Sequence, residues 1–243
     1  MIPVQSYPLA RRRVAAEALS IKNAKPGRID IVESADGQIH VIPRPERGKR
    51  PAPQVISEQV GTRKFQVDAD GFWQVHAHAA KTLDGAVHTA LAGRVDPDAT
   101  HFDLYGGVGL FAASLAELGA KDIVTVESSG RATEHAQRNL EMFDNADVHA
   151  VTARVDRYLA DGPGDVKVGT VVLDPPRSGA GRAVVEGVHA LNPQAIVYVA
   201  CDPVALARDL GTFRGLGWEA TSLQGFDLFP NSHHFEVVAL LTR

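Results

Sequence analysis

Cysteine is almost missing from this chain of 243 residues, which contains only Cys201. A single thiol excludes an intrachain disulfide, an iron–sulfur cluster and any zinc site built from several thiolates. Apolar runs are short as well, and none approaches the roughly 20 residues that span a bilayer. The first residues, Met1-Ile-Pro-Val-Gln5, lack the basic and apolar regions of a signal peptide, so a cytoplasmic address with no membrane partner is expected. Ten histidines are present but scattered. His76 and His78 have strand-like spacing with no carboxylate motif beside them, and no metal site is expected. What remains, 44% hydrophobic and 22% charged residues, is the composition of a folded chain with a sizeable core.

The net charge of −4 conceals an asymmetry: residues 1–64 hold 12 Lys and Arg against 6 Asp and Glu, and the remainder carries a balance of −10. Arg11-Arg12-Arg13 and the run from Arg44 to Arg50 make a basic end that suits either phosphate contacts or a solvated linker.

Two segments, Arg28 to Ser34 and Gln38 to Ile42, alternate around Ala35-Asp36-Gly37 and predict a hairpin with an Asp-Gly turn. Pro43 to Pro53 reads as an extended linker. A second strand pair, Lys64 to Val67 and Phe72 to Val75, is expected around Asp68-Ala-Asp-Gly71, followed by a helix over residues 79–91. From Thr100 the rhythm becomes short apolar strands alternating with helices, ending in two strands without a helix between them. The expected fold is α/β: a doubly wound, mostly parallel sheet over residues 76–243 with a terminal antiparallel hairpin, preceded by a small β-rich segment over residues 1–75.

Four motifs fall at strand ends. Asp103-Leu-Tyr105-Gly106-Gly107-Val-Gly109 is a glycine turn opening a helix, where backbone N–H groups approach a ligand. Glu127 ends the next strand about 20 residues on, where an acid accepts from ribose hydroxyls, and the pair favours an adenosine-containing ligand. Asp174-Pro-Pro-Arg177-Ser-Gly rigidifies the carboxyl edge of a later strand. Cys201 ends the strand after that, before Asp202-Pro203, an N-cap and first-turn pair whose helix N-terminus favours a thiolate. In the last strand, alternation puts Ser232, His234 and Glu236 on one face, and Glu236, an acid in an apolar strand, is a candidate base with a raised pKa.

Together DLYGGVGLF, DPPRSG, YVACDPVALARDL and FPNSHHFE resemble the S-adenosylmethionine-dependent RNA (uracil-5-)-methyltransferases of tRNA and ribosomal RNA, over roughly residues 60–243 and including FWQV at 72–75. The resemblance implies a class I, Rossmann-like methyltransferase fold and an enzyme that methylates carbon 5 of a uridine in tRNA or rRNA. It implies Gln74, Asp103, Tyr105, Gly107, Glu127 and Asp174 around S-adenosylmethionine, and Asp174 and Arg177 at the substrate. It implies Cys201 as nucleophile, Glu236 as base, and no metal. Gly107 replaces the family's usual cysteine, Ala200-Cys201-Asp202 its Ser-Cys-Asn, and Arg154 a usual aspartate. The chain resembles the carboxyl-terminal part of such enzymes, without an amino-terminal RNA-binding barrel or cysteine cluster.

Two other readings compete. A methyltransferase acting on nitrogen generally has an aromatic residue after the two prolines, where Arg177 stands here. A non-catalytic homologue that binds RNA or cofactor would fit the acidic core.

Overall fold

The Asp36-Gly37 turn closes the first hairpin of the computed structural model, which describes residues 4–22, 24–48 and 51–243. Strand β1 (Gly27–Glu33) pairs antiparallel with β2 (Ile39–Pro45), and Gly37 at φ +79° donates its N–H to Ser34 O at 2.8 Å. Pro43 therefore lies inside a strand rather than starting a linker, because an edge strand tolerates a residue with no N–H to give. A helix α1 (Arg12–Ser20) precedes the hairpin. The arginines of the basic end are in part held by acids: Arg11 and Arg13 pair with Glu33 at 3.2 and 3.3 Å, and Arg44 pairs with Asp30 at 2.5 Å, as does Arg28 on β1. Lys49 and Arg50 of the basic run, and Met1 to Pro3, lie outside the described residues.

The second hairpin differs from expectation. Lys64 to Val67 lies in β4 (Arg63–Asp68), but its partner is the preceding β3 (Val55–Val60), and residues 72–75 form no strand. The cause is local. Gly61 at φ +60° opens a two-residue turn between Val60 and Arg63, the geometry that suits tight hairpins. Ile56, Val60, Phe65 and Val67 are buried, while Ser57, Glu58 and Gln59 mask the alternation in β3. These elements belong to one compact unit that ends at Phe72, and Trp73 to Arg243 form another.

The second unit starts with α2 (Ala79–Leu91) and continues as β5 (Thr100–Leu104), α3 (Leu110–Glu117), β6 (Asp122–Glu127), α4 (Gly130–Leu140), β7 (Asp147–Thr152), α5 (Val155–Asp161), β8 (Val168–Leu173), α6 (Gly181–Ala190), β9 (Ala195–Ala200), α7 (Pro203–Gly215), β10 (Glu219–Phe226) and β11 (Glu236–Thr242). Its seven strands form one sheet in the order β10-β11-β9-β8-β5-β6-β7, parallel from β7 to β9 and closed by antiparallel β11 and β10. Strands β5, β8 and β9 are buried along their whole length, as strands covered on both faces must be. The core around them includes Phe102, Tyr198, Phe213 and Trp218. The chain leaves β5 toward β6 on one side and returns to β8 on the other, so the sheet switches direction between β5 and β8. Ligands of open α/β sheets bind at the carboxyl ends of the strands beside such a switch.

The last strand starts later than the alternation suggested: residues 232–235 are loop and β11 begins at Glu236. His234 and Glu236 therefore do not share a strand face. Among the described residues no helix is long and apolar enough to cross a membrane.

Candidate active site

Asp103, Glu127, Asp174 and Cys201 all lie at or just beyond the carboxyl ends of β5, β6, β8 and β9. After β5 the chain turns through Tyr105, held at φ +65°, with its N–H donating to Val126 O at 2.9 Å. A positive φ on an aromatic residue is strained, and such strain gathers at functional sites. Gly106 follows where a Cβ would stand 2.0 Å from Thr125 Oγ1, so only glycine fits between the two strands. Gly107, at φ +55°, has nothing within 4 Å of where its Cβ would be, and its N–H donates to Glu127 Oε2 at 3.3 Å. The other oxygen of Glu127 accepts from Ser129 N–H at 2.8 Å and from the Ser128 hydroxyl at 3.0 Å. These bonds fix the carboxylate at the mouth of the turn.

Asp103 is fully buried. One oxygen accepts from Ala112 N–H at 2.9 Å in the first turn of α3, and the other, Oδ1, has no partner. Burial, with the nearby charge of Glu127, raises its pKa to about 7. A buried carboxyl with an unfilled oxygen, next to an open backbone turn, is suited to a ligand that brings a donor or a positive charge. Tyr105 is half-buried, and burial and the charges of Asp156 and Asp209 push its hydroxyl up to about 12. Arg154, in the place of a usual aspartate, forms a two-pronged pair with Asp156 at 2.8 and 3.0 Å. Asp156, in the first turn of α5, is thereby tied to the arginine that precedes the helix.

The prolines after Asp174 start a loop that is pinned from behind. Asp209 of α7, buried, accepts from the Tyr198 hydroxyl at 2.7 Å and from Ala180 N–H at 2.7 Å, and pairs with Arg208, whose Nη2 donates to Ser178 O at 2.7 Å. A Cβ on Gly179 would meet both Arg208 and Asp209 at 2.5 Å. Pro175, Pro176, Ala205 and Leu206 close in around Cys201. Asp209 escaped the sequence reading, since within ALARDL it looks like an ordinary helix acid.

Cys201 directly follows Ala200, the last paired residue of β9, and Glu236 directly precedes Val237, its partner on β11, so the carboxyl lies within electrostatic reach of the thiol. Glu236 is buried, and burial raises its pKa to about 7 against the opposing pull of the Arg177 guanidinium. Asp174 stands well above the usual carboxylate range because of burial and the charges of Glu236 and Asp103. The thiol departs from expectation. Asp202 caps α7, accepting Ala205 N–H at 2.8 Å, and Pro203 occupies its first turn, yet burial and the charges of Glu236 and Asp174 push Cys201 up rather than down. Arg177, exposed, is the cation that works against that rise. Gln74 lies in the irregular stretch before α2, two residues from His76, whose ring meets Phe229 at 5.9 Å in the loop ahead of β11.

The sheet edge thus brings together an open glycine turn, a fixed carboxylate, a thiol and a buried carboxyl. Comparison with known proteins points the same way. The model of the tRNA (uracil-5-)-methyltransferase family matches residues 38–243. An RNA methyltransferase of uncharacterized function from Streptomyces avermitilis is 44% identical over 89% of this chain and 48% of its own length, and one from Bifidobacterium longum is 39% identical over 89% and 52%. This chain spans about half the length of these relatives. Among solved structures, the Pyrococcus abyssi tRNA (uracil-54, C5)-methyltransferase in complex with S-adenosyl-L-homocysteine is similar with a TM-score of 0.65 and 28% identity, over 83% of this chain and 47% of that one. Pyrococcus horikoshii TYW2 in complex with MeSAdo shares the fold, with a TM-score of 0.59 and 14% identity over 78% of this chain and 72% of that one.

Proposed function

Because the chain belongs to the tRNA (uracil-5-)-methyltransferase family, we propose that it transfers a methyl group from S-adenosylmethionine to carbon 5 of a uridine in tRNA or rRNA, in the cytoplasm. The observation that supports this is the proximity of Cys201 and Glu236, which flank the Ala200–Val237 pair of β9 and β11 and interact electrostatically, at the sheet edge that carries the glycine turn of β5.

The residues fit the cofactor. Gly107 leaves its backbone open, the carboxylate of Glu127 is fixed for ribose hydroxyls, and Asp103 Oδ1 is buried without a partner. Gln74, Tyr105 and Asp174 complete the set that would hold it. When bound, S-adenosylmethionine supplies an electrophilic methyl group on a sulfonium centre.

The rest falls to the chain's own side chains. Carbon 5 of uracil is a poor nucleophile until the Cys201 thiolate adds to carbon 6, which turns the ring into an enolate. Arg177 favours that thiolate and can offset negative charge on the ring, and Asp174, whose carboxyl burial pushes well above the usual range, can donate to it when protonated. Once carbon 5 carries the methyl group, ionised Glu236 removes the proton from that carbon, the carbon 5–carbon 6 double bond re-forms and the thiolate leaves. A pKa of about 7 suits a base working near neutrality. Both groups must reach an unstacked base, so the target nucleotide is extruded from its strand, which favours loops.

The test uses RNA whose uridines are replaced by 5-fluorouridine. Fluorine at carbon 5 cannot leave as a cation, so the adduct stalls after methyl transfer. A covalent protein–RNA complex that requires cofactor and disappears in Cys201→Ala is expected. RNA binding without any such complex would refute the mechanism and leave a non-catalytic homologue.

A further inference from the structure

Five rings form a connected run beside Glu236. His78 meets His76 edge-on at 5.6 Å, His76 meets Phe229 at 5.9 Å, Phe229 meets His234 at 6.0 Å, and His233 lies 4.1 Å from His234. The run joins the segment before α2 to the loop before β11, and its two ends, His78 and His233, are exposed while the middle is half-buried. The loop is held in shape by Ser232, whose hydroxyl donates to Phe229 O at 2.7 Å and accepts His234 N–H at 3.2 Å.

Neither core packing nor metal binding explains these rings. A packing cluster would bury its ends. Among the described residues, no group of three or more His, Cys, Asp and Glu is arranged to hold a metal ion. His234 also lies within electrostatic reach of Arg177 and Asp202, the residues flanking the Cys201 site. Burial, with the charges of His233 and Arg177, lowers its pKa, which keeps the ring neutral and favours a π-face over a phosphate contact.

We propose that this run is a stacking surface for the unpaired nucleobases next to the target uridine, with His233 and His78 as the exposed platforms. The inference rests on the RNA-methylation reading for its ligand. Extruding a uridine unstacks its neighbours, and aromatic faces next to the pocket offset that cost without reading sequence. Phe229 is a positioning residue here, since it joins the two halves of the run.

The experiment measures affinity of the full chain for an RNA hairpin with one 5-fluorouridine in its loop, and for the same hairpin with the base of an adjacent loop nucleotide removed. Base–aromatic stacking predicts about tenfold weaker binding of the abasic RNA by the wild-type chain. His233→Ala and Phe229→Leu should weaken binding of the intact RNA and bring the ratio of the two affinities close to one. His233→Phe, which keeps a ring, should preserve the ratio. Equal wild-type affinities, variants that weaken both RNAs alike, or absence of RNA binding would each overturn the proposal. Covalent capture is read in the same samples. Base-dependent binding without capture would retain the stacking surface and remove the methylation mechanism.

Discussion

Replacing Glu236 by glutamine separates what this carboxyl does for catalysis from what it costs the fold. Glu236 is 7% exposed, and its pKa rises from 4.5 to about 7 on folding. Between those values the folded chain holds a proton that the unfolded chain releases, so the group's contribution to stability is full below pH 4.5 and is lost as pH rises through 7. At about 1.4 kcal/mol per pKa unit, the ionised carboxylate costs the wild-type fold about 3 kcal/mol at pH 8 and about 1 kcal/mol at pH 5. Glutamine fills the same volume and never ionises. Glu236→Gln should therefore be more stable than wild type at pH 8, with a melting temperature higher by roughly 6–12 °C, and by only roughly 2–4 °C at pH 5. Thermal and urea unfolding at both pH values measure the difference, and relief of the charge of Glu236 on Asp174 acts in the same direction. The same variant should lose turnover by a factor on the order of 10² to 10⁴ while retaining a Cys201 adduct it cannot resolve. A stability gain that does not change with pH, or a loss at pH 8, would refute the burial argument for this residue.

Cys201 gives a second pH signature. Burial and the charges of Glu236 and Asp174 hold its pKa above the usual thiol value, so the rate of adduct formation with 5-fluorouridine RNA should keep rising with pH beyond 8; a plateau near 7 in stopped-flow capture would contradict it. In the glycine turn two neighbouring substitutions should behave differently. Gly106→Ala forces a Cβ to 2.0 Å from Thr125 Oγ1 and should destabilise the sheet edge severely in urea titration. Gly107→Ala has free space around it and should cost only about 1 kcal/mol of stability through its positive φ. Its effect should be greater on S-adenosyl-L-homocysteine affinity measured by calorimetry, and unchanged affinity would remove Gly107 from the cofactor edge. Asp209→Ala leaves the Tyr198 hydroxyl and the Gly181 N–H without the carboxylate they donate to and takes one of two acceptors from the Ala180 N–H, and a loss of roughly 3 kcal/mol in urea unfolding is expected. Tyr198→Phe removes the bond to Asp209 and one of the two acceptors of the Ala180 N–H but leaves the Asp209 carboxylate in place, and should cost about 1 kcal/mol.

The parts of the site written into contiguous residues were legible in the sequence. A glycine turn after an apolar strand, an acid at the next strand end and an Asp-Pro helix start each follow from local rules, and all three stand at the same edge of the sheet. Residues whose meaning depends on a distant partner were not legible. Asp209 lies within an amphipathic helix, and nothing in ALARDL announces that its carboxyl holds the loop of Ser178 to Gly181 through Tyr198 of another strand. The hairpin of residues 55–68 was missed for a smaller reason, because the polar stretch Ser57 to Gln59 hid a strand that its two-residue turn makes obligatory.

The thiol shows the limit most clearly. Local reading of Cys201 sees a helix N-terminus with Asp202 and Pro203 and expects a depressed pKa. The opposite result comes from Glu236 on β11 and Asp174 after β8, brought near by sheet order and register rather than by sequence distance. Dipole attraction at a helix end contributes about 1 kcal/mol at most sites, whereas desolvating a thiolate beside two acids outweighs it. On the proposed mechanism, a thiol held up in this way gains its anion only when charge is added against it, and Arg177 is the cation already at hand. Arg177→Ala should therefore slow adduct formation at neutral pH far more than at alkaline pH, where the thiolate forms without help. A uniform loss across the pH range would instead mark the arginine as a binding contact for RNA.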